Sequence, residues 1–153
     1  MKHYKDTLNN IYAYESDGSQ DAFIKEGLVP ISDEDLAAMI APTTEQLLSQ
    51  LSAARKEQER QGVVINDIRY AGDPGNRQSL QEAITYIEDA GLTEFPLWKD
   101  SDDVFHADHP LADVKDAVRA IGARRSQLIA AEGEYAAQII AGTLTDLTEV
   151  VWP

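Results

Sequence analysis

Cysteine is absent from the 153 residues, so disulfide chemistry, thiolate catalysis and cysteine-ligated zinc or iron–sulfur centres are all excluded. No run of about 18 apolar residues occurs, the length that a membrane-spanning helix needs. The opening Met1-Lys2-His3-Tyr4-Lys5-Asp6 leads into no apolar stretch of the signal-peptide kind. These absences predict a soluble cytosolic product. Basic residues are also scarce, with 13 Lys and Arg against 27 Asp and Glu and a formal charge of −14. Such a field repels nucleic acid and anionic membranes and favours solubility.

Several catalytic signatures are missing as well. No serine sits in a nucleophile elbow, and Ser79 has no evident histidine partner. Gly72-Asp73-Pro74-Gly75-Asn76-Arg77 is glycine-rich, but it satisfies neither the dinucleotide-binding nor the P-loop spacing and lacks the P-loop lysine. It is expected to be a turn before a helix. With 27 acids in the chain, the mere presence of carboxylate pairs carries no information about acid–base catalysis.

The chain does hold enough apolar material, 43% of residues, for an ordinary core. A fold of this length buries roughly 70% of the surface of its unfolded chain. One domain, or one with a small appendage, is therefore expected. The pattern predicts an α+β fold in three segments. Residues 1–43 form a unit with a β-hairpin turning near Asn9-Asn10 and a short helix that starts after Ser32, with Asp33, Glu34 and Asp35 at its positive end. Residues 44–62 form a connecting helix with Thr44 as N-cap and the stripe Leu47, Leu48, Leu51 and Ala54. Its polar second half, from Arg55 to Gln61, is expected to project into solvent before Gly62 stops the helix.

Residues 63–153 repeat a hairpin–helix unit. Val63-Val64-Ile65 and Ile68-Arg69-Tyr70 flank an Asn66-Asp67 turn, and a helix marked by Leu80, Ala83, Ile84 and Ile87 ends near Gly91. Phe95-Pro96-Leu97-Trp98 and Val104-Phe105-His106 flank an acidic tip, Lys99 to Asp103, and lead to a long amphipathic helix over residues 111–141. Leu111, Val114, Val118, Ile121, Leu128, Tyr135 and Ile139 recur there at coiled-coil spacing. Arg125 and Glu132 occupy seam positions, however, which favours an ordinary amphipathic helix over a coiled coil. An extended apolar tail, Thr143 to Pro153, is expected to follow.

The densest polar group, Asp100, Asp102, Asp103, His106, Asp108 and His109, has ligand types suited to a divalent cation. It fails the EF-hand pattern, with Phe105 where glycine is required, and is expected to be a solvated hairpin tip with Asp108 capping the long helix. His3, His106 and His109 are expected to be exposed. No metal or cofactor is assigned. The basic groups Arg55, Lys56 and Arg60, and Arg119, Arg124 and Arg125, are read as solvated helix faces, with partner-binding faces as the alternative. Tyr4, Tyr12 and Tyr14 are the candidate partner-binding residues. Tyr12 and Tyr14 share a face of the hairpin, where they form either its mini-core or a recognition surface.

Tyr4-Lys5-Asp6, Asn10-Ile11-Tyr12-Ala13-Tyr14, Asp17-Gly18-Ser19-Gln20-Asp21 and Leu28-Val29-Pro30-Ile31 resemble the opening of phage and prophage tail-fibre assembly proteins. The shared pattern is an aromatic hairpin, a polar loop and a Leu-x-Pro-Ile step into an acidic helix. Gly62-Val63-Val64-Ile65, Arg77-Gln78-Ser79-Leu80 and Trp98 are similar to a C-terminal domain of phage tail proteins. The resemblance implies a non-enzymatic chaperone that binds a tail-fibre protein and assists its folding, trimerisation or attachment. It would act in the host bacterial cytoplasm and in some cases stay on the virion tail. The alternatives are a structural component of the tail or tail fibre and, less favoured, a carbohydrate-binding or hydrolytic accessory protein. Self-association stays open.

Overall fold

The computed structural model describes all residues, Met1–Pro153, and is α+β, with two compact units, Met1–Pro42 and Thr43–Pro153. In the first unit, β1 (Lys2–Lys5) and β2 (Ile11–Tyr14) form the expected hairpin. Asn9 takes the left-handed turn conformation at φ 63°, and the Asp6 carboxylate accepts from the N–H groups of Leu8 and Asn10 at 2.8 and 2.9 Å. A third strand, β3 (Val29–Ile31), pairs with the other edge of β1 and makes the order β2-β1-β3. The hairpin is therefore part of a three-stranded sheet, a pairing across 24 or more residues that local pattern does not announce. Helix α1 (Asp33–Ile40) starts as expected, its Asp35 N–H donating to the Ser32 hydroxyl at 3.0 Å.

The second unit begins with α2 (Thr44–Gln61), capped by Thr43 rather than Thr44. The Thr43 hydroxyl and the Gln46 side chain satisfy each other's backbone N–H groups in a capping box. Strands β4 (Val63–Ile65) and β5 (Ile68–Tyr70) meet at Asn66 and Asp67, both at positive φ, the backbone that a two-residue hairpin turn requires. Asp73 caps α3 (Pro74–Asp89), and Pro74 occupies its first position, where no N–H is needed. Strands β6 (Glu94–Lys99) and β7 (Phe105–Pro110) form the third hairpin and lead directly into α4 (Leu111–Ala141). Asp108 does not cap α4. It lies within β7 at φ 50°, and Pro110 holds the N-cap position without a side-chain hydrogen bond.

Two apolar clusters divide α4 between them. Leu111, Val114, Ala117 and Ile121 pack with Tyr70, Leu80, Ile87 and Phe95, which joins both hairpin–helix repeats in one core. Farther along, Ile139 packs with Leu47 and Leu51 of α2 and with Leu144. The last residues are not a free extended tail. Leu147, Val150 and Trp152 pack on this second cluster, and the Tyr135 hydroxyl donates to the Val151 carbonyl at 3.2 Å while accepting its N–H at 3.1 Å. Helix α2 thus packs along α4 rather than linking two bodies. No helix is long and apolar enough to cross a membrane.

The chain passes itself closely at one point. A Cβ on Gly72 would lie 2.2 Å from the Glu59 carbonyl oxygen, and one on Gly62 would lie 1.8 Å from the Tyr70 carbonyl oxygen. Both neighbours are backbone and cannot swing aside. Gly72→Ala is expected to lower stability by about 1–3 kcal/mol through overpacking. Gly133→Ala, with open space around the added carbon, should instead gain about 1 kcal/mol of helix propensity. Urea unfolding midpoints of the two variants check the contrast, and a neutral Gly72→Ala would contradict the close approach.

Candidate functional site

In the first unit the pairing sets Tyr4 opposite Tyr12, so Tyr4, Tyr12 and Tyr14 share one face of the sheet. Tyr4 and Tyr14 meet edge to face with ring centres 5.6 Å apart. The Tyr12 hydroxyl donates to Asp6 at 3.1 Å, and Lys25 Nζ stands 5.1 Å from the Tyr12 ring centre. The hydrogen bond to the Asp6 carboxylate pushes the Tyr12 phenol pKa up, while Asn10, the first cause, pulls that of Asp6 down. All three rings are half-buried, and no residue of Met1–Pro42 is fully buried. In the same unit Leu8 and Phe23 are 80% and 73% exposed, and Val29 and Ile40 are also open to solvent. Leu8 and Phe23 carry no periodic signal, so sequence pattern did not mark them.

The acidic tip has a structural account. Asp100 accepts from the N–H groups of Asp102 and Val104 and pairs with His106 Nε2 at 2.8 Å. Asp102 receives Arg69, and Asp103 receives Lys99. No group of three metal-ligating side chains converges anywhere in the chain. His109 is not exposed as expected. It is 3% exposed because β7 pairs it with Phe95, facing the core. Its Nε2 lies 2.6 Å from the Tyr70 hydroxyl, and its ring stacks on Trp98. Burial pushes the Tyr70 phenol up to about 12, so it stays protonated and shares a hydrogen bond with the imidazole. Burial also lowers the His109 pKa, with His106 acting in the same sense and Asp113 opposing.

A second unexpected feature is ionic. Glu59 of α2 is buried and faces three guanidiniums: Arg55 one turn back, Arg125 Nε of α4 at 3.3 Å and Arg77 Nη1 of α3 at 3.7 Å. Arg55 Nε also meets Glu132 Oε2 at 2.6 Å. One face of the half of α2 expected in solvent, Arg55 and Glu59, is therefore packed, because its charges meet the two charged residues that interrupt the seam of α4, while Lys56, Glu57, Arg60 and Gln61 stay exposed as expected. The signal was present as Arg55 and Glu59 on one helix and Arg125 and Glu132 on another, but pairing them required knowing that the helices lie antiparallel. A cleft of about 470 Å³ opens beside this network between α3 and α4, lined by Arg77, Arg125, Leu80, Val118 and Ile121.

Two outcomes follow from these sites. Glu59→Gln leaves Arg77 and Arg125 without their carboxylate and is expected to remove about 3 kcal/mol of stability. Glu57→Gln, whose partner Arg60 is exposed, should change it by under about 1 kcal/mol. Calorimetry of both variants makes the comparison. Because the folded pKa of His109 lies below its ordinary 6.5, the unfolded chain takes up the proton first as pH falls. Stability from this residue is complete above that value and declines as pH drops through the lower folded one. Thermal unfolding across this window should show a shallower decline in His109→Gln.

No curated protein and no solved structure matches the chain significantly. Residues 42–151, most of the chain and nearly all of the second unit, match the sequence model of a domain of unknown function, and the chain belongs to that family, DUF4376.

Proposed function

We propose that this protein is a non-enzymatic assembly factor that binds a phage tail-fibre protein through its N-terminal unit and assists folding, trimerisation or attachment of the fibre. The observation that carries this reading is the state of Met1–Pro42, which buries no side chain fully yet displays Leu8, Phe23, Val29 and Ile40. A unit of this size with so little core gains much from covering its apolar groups against a partner. The order of motifs from Tyr4 to Ile31, similar to that of tail-fibre assembly proteins, supplies the partner's class.

The sheet supports a particular mode of binding. Strands β2 and β3 are its edges, and an edge presents unpaired N–H and C=O groups to an extended segment. A fibre chain has such segments exposed until its trimer closes. Covering them would suppress misassembly. The acidic surface of the whole chain would keep the complex soluble.

Co-expression with the adjacent tail-fibre gene is expected to raise the yield of soluble fibre. Phe23→Ala and Tyr14→Ala should each weaken fibre capture by about 2 kcal/mol if they are anchors. Asp102→Ala with Asp103→Ala, on the loop of the other unit, should leave capture unchanged. Affinity is read by calorimetry and folding by circular dichroism. A folded Phe23→Ala that captures fibre at full affinity, or a fibre whose solubility ignores co-expression, would overturn the proposal.

A further inference from the structure

The cleft between α3 and α4 is basic in an acidic chain. In a chain of charge −14, two arginines and no carboxylate line it. Arg77 gives Nη1 to the Gly72 carbonyl at 2.6 Å, and Arg125 meets Glu59 with Nε at 3.3 Å. The Arg125 side chain is 46% exposed, and with Arg77 it lines the cleft. In the ion pairs at this point the guanidiniums of Arg55, Arg77 and Arg125 share the carboxylates of Glu59 and Glu132. Asp73, Lys56 and Arg60 line the adjoining cavity.

The rest of the lining describes the remainder of the ligand. Leu80, Val118 and Ile121 offer an apolar wall, and Gln78 and Gln81 offer amides. A volume of about 470 Å³ lies within the range of small-molecule sites. Gly122 also lines the cleft, with no heavy atom within 4 Å of where its Cβ would stand. The missing side chain keeps the mouth open and is not demanded by a close neighbour.

We propose that this cleft binds an organic monocarboxylate with an apolar body, its carboxylate held by Arg77 and Arg125 and its apolar part against Leu80, Val118 and Ile121. A guanidinium fork matches the two oxygens of a carboxylate and gives charge-assisted hydrogen bonds. A dianion such as a phosphate monoester would be repelled more strongly by the negative field of the surrounding surface. A polyanion would be repelled more strongly still. The same chemistry is offered by a free small acid and by the terminal carboxylate of a peptide ending in an apolar residue.

The test is an NMR titration of the full chain, following backbone amides at Val118 and Gly122. The probes are N-acetyl-leucine, its uncharged amide, and a leucine-ending tetrapeptide with a free or amidated terminus. Saturable shifts are expected with the free carboxylates and not with the amides. Arg125→Gln should weaken binding at least about tenfold, the loss of a hydrogen bond to a charged group. Arg125→Lys should retain part of the affinity. Gly122→Leu fills the mouth away from the ion network, so it should abolish binding without lowering the melting temperature. Tighter binding of the peptide assigns the site to a chain terminus, and equal or tighter binding of the small acid assigns it to a metabolite. The proposal fails if acid and amide act alike, if no shifts appear at about 10 mM, where millimolar affinity would show, or if a folded Arg125→Gln binds as the parent does.

Discussion

The second unit depends on burial of one carboxylate, Glu59. A carboxylate taken from water must be surrounded by donors, since the desolvation penalty amounts to several kcal/mol when it is left alone. The donors come from three helices, Arg55 on α2 itself, Arg77 on α3 and Arg125 on α4. Satisfying this residue therefore fixes where α3 and α4 stand relative to the end of α2. The same end of α2 is pressed against Gly72, where only a residue without Cβ fits beside the Glu59 carbonyl. Backbone contact and side-chain charge thus converge on one residue.

This layer explains how a helix of 31 residues serves two apolar clusters without becoming a coiled-coil strand. The contacts of α4 with α2 run from Ile139 beside Leu47 and Leu51, through Glu132 at Arg55, to Arg125 at Glu59, an antiparallel order. Beyond Arg125 the partner changes to α3 and the hairpins. A charged layer between two apolar ones permits a single register, because sliding α2 along α4 would leave charges against leucine. The basic cleft follows from the same arrangement, since Arg77 and Arg125 both pair with Glu59 and both line it.

The first unit is organised by different physics. It has no buried side chain and relies on turn chemistry at Asp6 and Asn9, the Lys2–Asp21 ion pair at 2.7 Å, and the Tyr4–Tyr14 contact. The exposed pair on its surface is worth little in water. Such a unit has low local stability, and segments of low local stability are those that most readily adapt to a partner. The tyrosines therefore combine a packing role with partial exposure. Their shared face was legible from the period-2 alternation, whereas the open positions of Leu8 and Phe23 were not.

What the amino-acid sequence determined by itself was local. Three hairpins, the caps at Ser32 and Gly62, the acidic first turn of α1 and the apolar face of α4 all follow from interactions within a few residues. Tertiary structure alone decided the rest. Strand β3 returns to β1, His109 turns inward against Tyr70 and Trp98, and Arg55 and Glu59 leave solvent for the interior. The physical reason is the same in each case. Hydrophobic periodicity identifies which apolar groups leave water, but a polar or charged side chain is buried only where a complementary group arrives from a distant part of the chain, and Glu132 and Arg125 lie more than 60 residues from the partners that they satisfy.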